Sequence, residues 1–421
     1  MTASTTGCDA ILGDREGGSQ SPSVIIVTET ATPEPPPTPD PPTKTPSDPP
    51  TEKAWDAVFD ETKSGVAYIE AGYCQGLGGR GSGILISENL ILTAAHVVES
   101  SHSELPSSLS ISLNDQVTTA QVIGFNRNAD LALLMTEKSL DGHVFRLAAE
   151  DPAVGTDIAI MGFPVENFND DSPEDLATPK FNDGAISSLG EEISYETVES
   201  IKNVLRTTVR ANGGNSGGPA INRLGELVGV LIATDRIEMA AGKNVSAYAV
   251  QGSRVALAIE NWITHPVHFP TDDCDAYTSN NPVLPLVEAD NDQAAGIAQT
   301  FREHAEAING GDFNTAFSAF SSEMYEASED AASWSKDKQT SRWSGLSIVD
   351  VEESDPQANL LRATVAFRTT QDEQFGPAHL ENPECAMWRV NYIMKWNDEK
   401  SRWQINAQKT SDEKTSDCID D

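Results

Sequence analysis

The residues with the clearest chemical potential lie in Gly213-Gly214-Asn215-Ser216-Gly217-Gly218-Pro219. A serine flanked by glycines has a backbone free to bend around it, so its hydroxyl can be presented while neighbouring N–H groups converge on one point. Those are the requirements of a nucleophile and its oxyanion hole. A serine hydroxyl is nearly inert at neutral pH, so it needs a base and an acid that orients the base. Two stretches offer them: His96 in Thr93-Ala94-Ala95-His96-Val97-Val98 and Asp130 in Asn128-Ala129-Asp130-Leu131-Ala132-Leu133-Leu134. Taken singly, each has a plainer reading. A histidine among small apolar residues is more often a satisfied core residue, and an aspartate before an apolar run more often caps a turn. Together they supply what Ser216 lacks.

The elements that must position these residues read as short strands. Residues 65–69, 84–86, 90–93, 111–113 and 121–125 carry strand composition, with Ser87-Glu88-Asn89 closing a hairpin. The run Gly78-Gly79-Arg80-Gly81-Ser82-Gly83 is expected to be a turn. It is no phosphate cradle, since no helix follows and no Gly-Lys-Ser/Thr completes it. Further strands are expected at 157–162, 204–208 and 227–232, with a long acidic loop over 165–182 and a closing helix over 253–264. The loop reads as solvated, with a border to the cleft as the alternative.

Thr93-Ala94-Ala95-His96, Asp130-Leu131-Ala132-Leu133-Leu134 and Gly214-Asn215-Ser216-Gly217-Gly218-Pro219 occur in that order. They resemble the trypsin-like serine peptidases, especially the bacterial HtrA-type branch. The likeness extends through Met161-Gly162-Phe163-Pro164, Gly184-Ala185-Ile186-Ser187 and Gly225-Glu226-Leu227-Val228-Gly229-Val230 to Ser246-Ala247-Tyr248-Ala249-Val250, covering roughly residues 58–263. It implies two six-stranded antiparallel barrels with the site between them. By this resemblance His96 and Asp130 come from the first barrel and Ser216 from the second, and the N–H groups of Gly214 and Ser216 form the oxyanion hole. The substrate pocket would include Ile232, Ala233 and Thr234, with residues near Arg210 and Ala211, and would favour a small or apolar residue before the scissile bond. The expected activity is endopeptidase cleavage through an acyl-enzyme, with protein or peptide substrates and no metal or cofactor. The competing class is an inactive scaffold on the same fold. An esterase is disfavoured because no Gly-x-Ser-x-Gly elbow is present.

The rest of the 421-residue chain divides by composition. Half of residues 31–50 are proline, so residues 1–53 read as a disordered stalk. Residues 54–265 are the expected peptidase domain and 266–285 a linker. HtrA-type enzymes commonly carry a PDZ domain after the protease, and this chain departs from that pattern. Over 286–421, Ala294, Ile297, Ala298, Phe301, Ala305 and Ile308 repeat at helical spacing, a shorter helical stretch continues through Phe320, and strand-like runs follow. Helices before a meander mean α+β, and the helix ending Ala307-Ile308-Asn309-Gly310-Gly311-Asp312-Phe313 resembles the nuclear transport factor 2-like cone. The expected class is thus multi-domain, an all-β double barrel followed by a smaller α+β domain.

The chain carries 28 Lys plus Arg against 65 Asp plus Glu, a net charge of -37, which sets aside nucleic acid and anionic lipid surfaces as partners. No stretch suits a membrane helix. Gly7-Cys8 resembles a bacterial lipoprotein processing site, which would anchor the stalk by lipid at the cell envelope; the plainer reading is a lone cysteine in a tail. Cys74, Cys274, Cys385 and Cys418 allow three disulfide pairings. The placement of Cys385 in a strand-like run and Cys418 at the end of the last segment favours Cys385–Cys418, leaving Cys74–Cys274. No cysteine or histidine cluster offers zinc-ligand spacing.

Overall fold

In the computed structural model the described residues are 51–74, 76–99, 106–164, 178–195, 198–234, 246–269, 274, 283–327, 331–336, 338–355 and 358–418. Cys8 and the stalk lie outside them. The first barrel closes in the order β1-β2-β3-β6-β5-β4, built from β1 (Val66–Tyr73), β2 (Gly76–Ser87), β3 (Leu90–Thr93), β4 (Ser108–Leu113), β5 (Gln116–Asn126) and β6 (Leu131–Thr136). The second closes as β10-β11-β12-β9-β8-β7, from β7 (Asp157–Gly162), β8 (Lys180–Tyr195), β9 (Val198–Thr207), β10 (Pro219–Ile221), β11 (Leu227–Thr234) and β12 (Ala247–Gln251). Leu131 to Leu134 are all buried, as are Ile84, Leu85, Ile91 and Leu92 across the sheet. Closure leaves neither barrel with an exposed sheet edge.

Two expectations need correction here. Gly78 to Gly83 are not a turn but the middle of β2. The reason is a close approach: a Cβ at Gly81 would lie 2.6 Å from Val97 Cγ2 and 3.0 Å from Ser216 O. The strand must be bare there for the two barrels to meet over it. The acidic loop is also shorter than expected, because Lys180 to Asn182 already pair with Gly162 to Ile160. Residues 165–177 of that loop lie outside the described residues.

Helix α1 (Trp55–Thr62) precedes β1, and helix α2 (Gly252–Thr264) follows the second barrel and buries Val255, Ala258 and Trp262. Beyond it, a five-stranded sheet runs β13-β14-β15-β16-β17. Strand β13 (Leu286–Val287) pairs in parallel with β14 (Arg342–Asp355), and β15 (Leu360–Thr370), β16 (Cys385–Asn397) and β17 (Arg402–Asp417) continue antiparallel. Helix α3 (Ala294–Gly310) buries Ile297, Phe301, Ala305 and Ile308 at the spacing read from the sequence. Its end is set by Gly311, left-handed at φ 75°, whose N–H donates to the last carbonyls. The short helix after it spans only Phe313–Phe317. Beyond it only tighter turn bonds persist, Ala319 N to Ala316 O and Phe320 N to Phe317 O, before the chain bridges to Ile405, whose N–H donates to Ala319 O and whose carbonyl accepts from Ser321 N. Both favoured disulfides are present, Cys74–Cys274 and Cys385–Cys418.

Candidate active site

Asp130 sits where β5 turns into β6 and is 1% exposed. An ionised carboxylate buried to that degree requires hydrogen-bond donors, and one residue supplies two of them. His96 N donates to Oδ1 at 3.0 Å and His96 Nδ1 to Oδ2 at 2.7 Å. With Nδ1 carrying the proton toward the carboxylate, Nε2 is the acceptor of the ring. His96 itself lies on a 3-10 turn, Ala95–Val97, directly after β3. Its side chain is 33% exposed, so the imidazole reaches solvent while the acid behind it stays dry. Asp130 adopts φ 50°, the left-handed region that aspartate tolerates better than most residues.

The Ser216 loop consists of two consecutive type II turns. In the first, Asn215 N donates to Asn212 O at 3.2 Å, with Gly214 at φ 89° in the third position. In the second, Gly218 N donates to Asn215 O at 3.0 Å, with Gly217 at φ 82°. A type II turn demands positive φ at its third residue, which is why glycine stands at both places. Ser216 occupies the second position of the second turn. Asn215, Gly217 and Gly218 spend their N–H groups on Asn212 O, Leu231 O and Asn215 O. Among the described residues the N–H groups of Gly214 and Ser216 donate to nothing, the condition an oxyanion hole requires.

Ser82 in β2 ties this loop to the first barrel. Its N–H donates to Ser216 O at 2.8 Å, its hydroxyl donates to Gly214 O at 2.7 Å, and its carbonyl accepts from Thr93 Oγ1 at 2.7 Å. The same hydroxyl accepts from Phe163 N at 2.9 Å. Ser216 is thereby fastened beside Thr93 and Ala94, immediately ahead of His96. Ser216 Oγ has no hydrogen-bond partner among the described residues, as is common before a substrate tightens the site.

A largely shielded ion pair flanks the His96–Asp130 couple and escaped the sequence reading. Glu99 and Arg127 form it, with Arg127 Nη2 at 2.6 Å and Nε at 2.8 Å from the carboxylate, and their side chains are 12% and 17% exposed. Burial raises the Glu99 pKa, while the Arg127 guanidinium opposes that shift and the nearby Asp130 charge adds to it. Nothing in the spacing of Glu99 or Arg127 distinguishes them from surface charges. Ser82 was likewise read only as part of a glycine-rich turn. Of the expected pocket residues, Ile232 is buried at a bulge in β11 and Ala233 is half-buried. They follow Leu231, which exchanges hydrogen bonds with Gly217 and Gly218. Thr234 ends the strand. Ala211 is buried and Arg210 exposed, just ahead of the first type II turn. No group of three or more His, Cys, Asp or Glu fit to hold a metal occurs among the described residues.

Residues 81–230, which include His96, Asp130 and Ser216, match the model of the trypsin-like peptidase domain. The chain is 32% identical over 163 residues to the serine protease Do-like HtrA of Bacillus subtilis, covering 36% of this chain and 33% of that protein. It is 27% identical over 173 residues to the serine protease Rv3671c of Mycobacterium tuberculosis, covering 41% and 40%. A third relative, the periplasmic pH-dependent serine endoprotease DegQ of Escherichia coli, is 31% identical over 155 residues, covering 36% and 30%. The chain thus spans about a third to two-fifths of the length of these relatives. The crystal structure of the Rv3671c protease in its active form is similar over 56% of this chain and 96% of that one, with 19% identity and a TM-score of 0.42. The two closed six-stranded barrels thus hold a stretch, residues 81–230, that matches the trypsin-like peptidase domain.

Proposed function

We propose that the chain is a serine endopeptidase in which Ser216 is the nucleophile, His96 the general base and Asp130 the residue that orients and charge-balances His96. The observation that carries this reading is the 2.7 Å bond from His96 Nδ1 to the buried Asp130 carboxylate, together with a serine held inside the second of two consecutive type II turns. His96 Nε2 takes the Ser216 proton as Oγ attacks a peptide carbonyl, and the N–H groups of Gly214 and Ser216 receive the oxyanion. His96 then returns the proton to the leaving amine, and water admitted by the same base hydrolyses the acyl-enzyme. The strand segment from Ile232 to Thr234 borders the specificity pocket, with a preference for small or apolar side chains. Residues 286–421 make an α+β layer of the nuclear transport factor 2-like kind, packed into one compact unit with the barrels. The relatives named periplasmic support a place outside the cytoplasm, and lipid attachment at Cys8 would hold the chain there.

The test is labelling by a fluorophosphonate probe together with casein cleavage. The wild-type chain should label and cleave, and Ser216→Ala should abolish labelling and lower cleavage by several orders of magnitude. Labelling that persists undiminished in Ser216→Ala would remove Ser216 from the nucleophile role.

A further inference from the structure

The turn that carries Asp130 is held from outside its own barrel. Asn126, 3% exposed at the end of β5, accepts from Ala129 N through Oδ1 at 3.0 Å and donates through Nδ2 to Asp292 Oδ1 at 2.9 Å. Asp292 lies just ahead of α3, in the layer built on the five-stranded sheet. Asn128 Nδ2 donates to Glu288 O and Ala289 O, each at 3.1 Å. The N–H groups of Glu288 and Ala289 in turn donate to Ile348 O in β14. Both asparagines of the turn are therefore anchored in the C-terminal layer, and Asp130 is the residue at which that turn ends.

Asp292 is built for this duty. It is 8% exposed, and its carboxylate accepts from Arg254 Nη2 at 2.6 Å, Arg254 Nη1 at 3.1 Å and Asn261 Nδ2 at 3.1 Å, besides Asn126. A two-armed guanidinium pair with further amide donors fixes a carboxylate in orientation as well as in place. The Asp292 carbonyl accepts from Trp262 Nε1 at 2.8 Å. The Trp262 ring packs on β5 so closely that a Cβ at Gly124 would lie 2.2 Å from it. Helix α2, the start of α3 and the end of β5 are thus locked at a single carboxylate.

We propose that Asp292 is a positioning residue for Asp130, so that the C-terminal layer completes the support of the catalytic acid. This rests on the peptidase reading of His96, Asp130 and Ser216. The Asp292 acceptor keeps the Asn126 amide in the one orientation in which Oδ1 meets Ala129 N. That bond holds the turn, and the turn holds Asp130 at positive φ, a conformation that persists only when its surroundings over-determine it. Without Asp292, the Asn126 amide is free to rotate, and the Asp130 carboxylate shifts relative to His96 Nδ1.

The test uses full-length Asp292→Ala, which removes the acceptor that an asparagine would retain, and Asn128→Ala. Active sites are counted with the fluorophosphonate probe, and kcat and KM are then measured per titrated site. For Asp292→Ala, kcat per site should fall about 10- to 100-fold, the scale of a displacement of about 1 Å in a catalytic group, with KM within about twofold. Asn128→Ala leaves Arg254 and Asp292 paired, so it folds even if Asp292→Ala does not, and its kcat per site should fall about 3- to 10-fold. A double variant Asn126→Ala/Asp292→Ala should lose no more than Asn126→Ala alone, because both act through one bond. A merely structural role would lower the number of titratable sites and leave kcat per site intact. An unchanged kcat per site in both single variants overturns the proposal. A wild-type chain that neither labels nor cleaves overturns the peptidase reading, and the positioning role with it.

Discussion

Replacing Gly217 by alanine tests the geometry that presents Ser216. Gly217 holds φ 82°, and a Cβ there would lie 2.2 Å from both Ser82 O and Thr93 Oγ1 and 3.0 Å from Ala94 N. The left-handed conformation alone costs an alanine about 1–2 kcal/mol. Two of the three overlapping atoms belong to backbone, so relief requires the barrels to separate at the seam, adding about 1–3 kcal/mol as in other overpacked sites. The sum is about 2–5 kcal/mol, drawn from the bonds that fasten Ser216 beside His96. Gly213 is the internal control. It has no positive φ and nothing within 4 Å of a Cβ, so Gly213→Ala should be neutral or slightly stabilising. Thermal unfolding and the second-order rate of fluorophosphonate labelling would be compared for both variants. Gly217→Ala should unfold several degrees lower and label at least about tenfold more slowly, with Gly213→Ala close to wild type. Equal behaviour of the two variants would refute the two-turn account of the loop.

The ion pair beside the site and the buried histidine of helix α3 make further predictions. Arg127→Met should destabilise the chain by about 3–5 kcal/mol, since it strands the Glu99 carboxylate in an interior that already raises its pKa. The loss should deepen as pH rises through the folded pKa of Glu99, because the charged form is the one that lacks a partner, and chemical denaturation at several pH values would read it. An equal loss at every pH would count against a buried charge as the cause. His304, packed among Phe320, Trp334 and Trp343 with Nδ1 on Ala316 O, is held by burial at a pKa of about 4. An unfolded histidine titrates near 6.5. The folded value is the lower one, so protons favour the unfolded state. The contribution is intact above about pH 6.5 and is lost as pH falls toward 4, to a total of about 3 kcal/mol. His304→Phe should flatten that part of the stability profile of the chain, and an unaltered slope would mean that another group carries it.

The residues of the candidate site were legible because their chemistry is tied to local sequence. Ser216 stands in a run whose glycines are demanded by positive φ at Gly214 and Gly217, and local backbone geometry of this kind is written in residue type. The apolar strands of both barrels and the helix over Ala294–Gly310 were legible for a similar reason, since periodic burial follows from pleat and pitch, whereas the polar β8 and the short β10 were not read as strands. Tertiary structure alone decided what depends on the meeting of distant segments. Gly78 to Gly83 read as a turn because glycine is flexible in isolation, yet they form a strand because the second barrel must close over Gly81. The Glu99–Arg127 pair and the Asp292 anchor carry no local signal at all. Charged and amide side chains look alike in a sequence whether water or another segment satisfies them, and only the fold brings Asn126 to Asp292 across 166 positions.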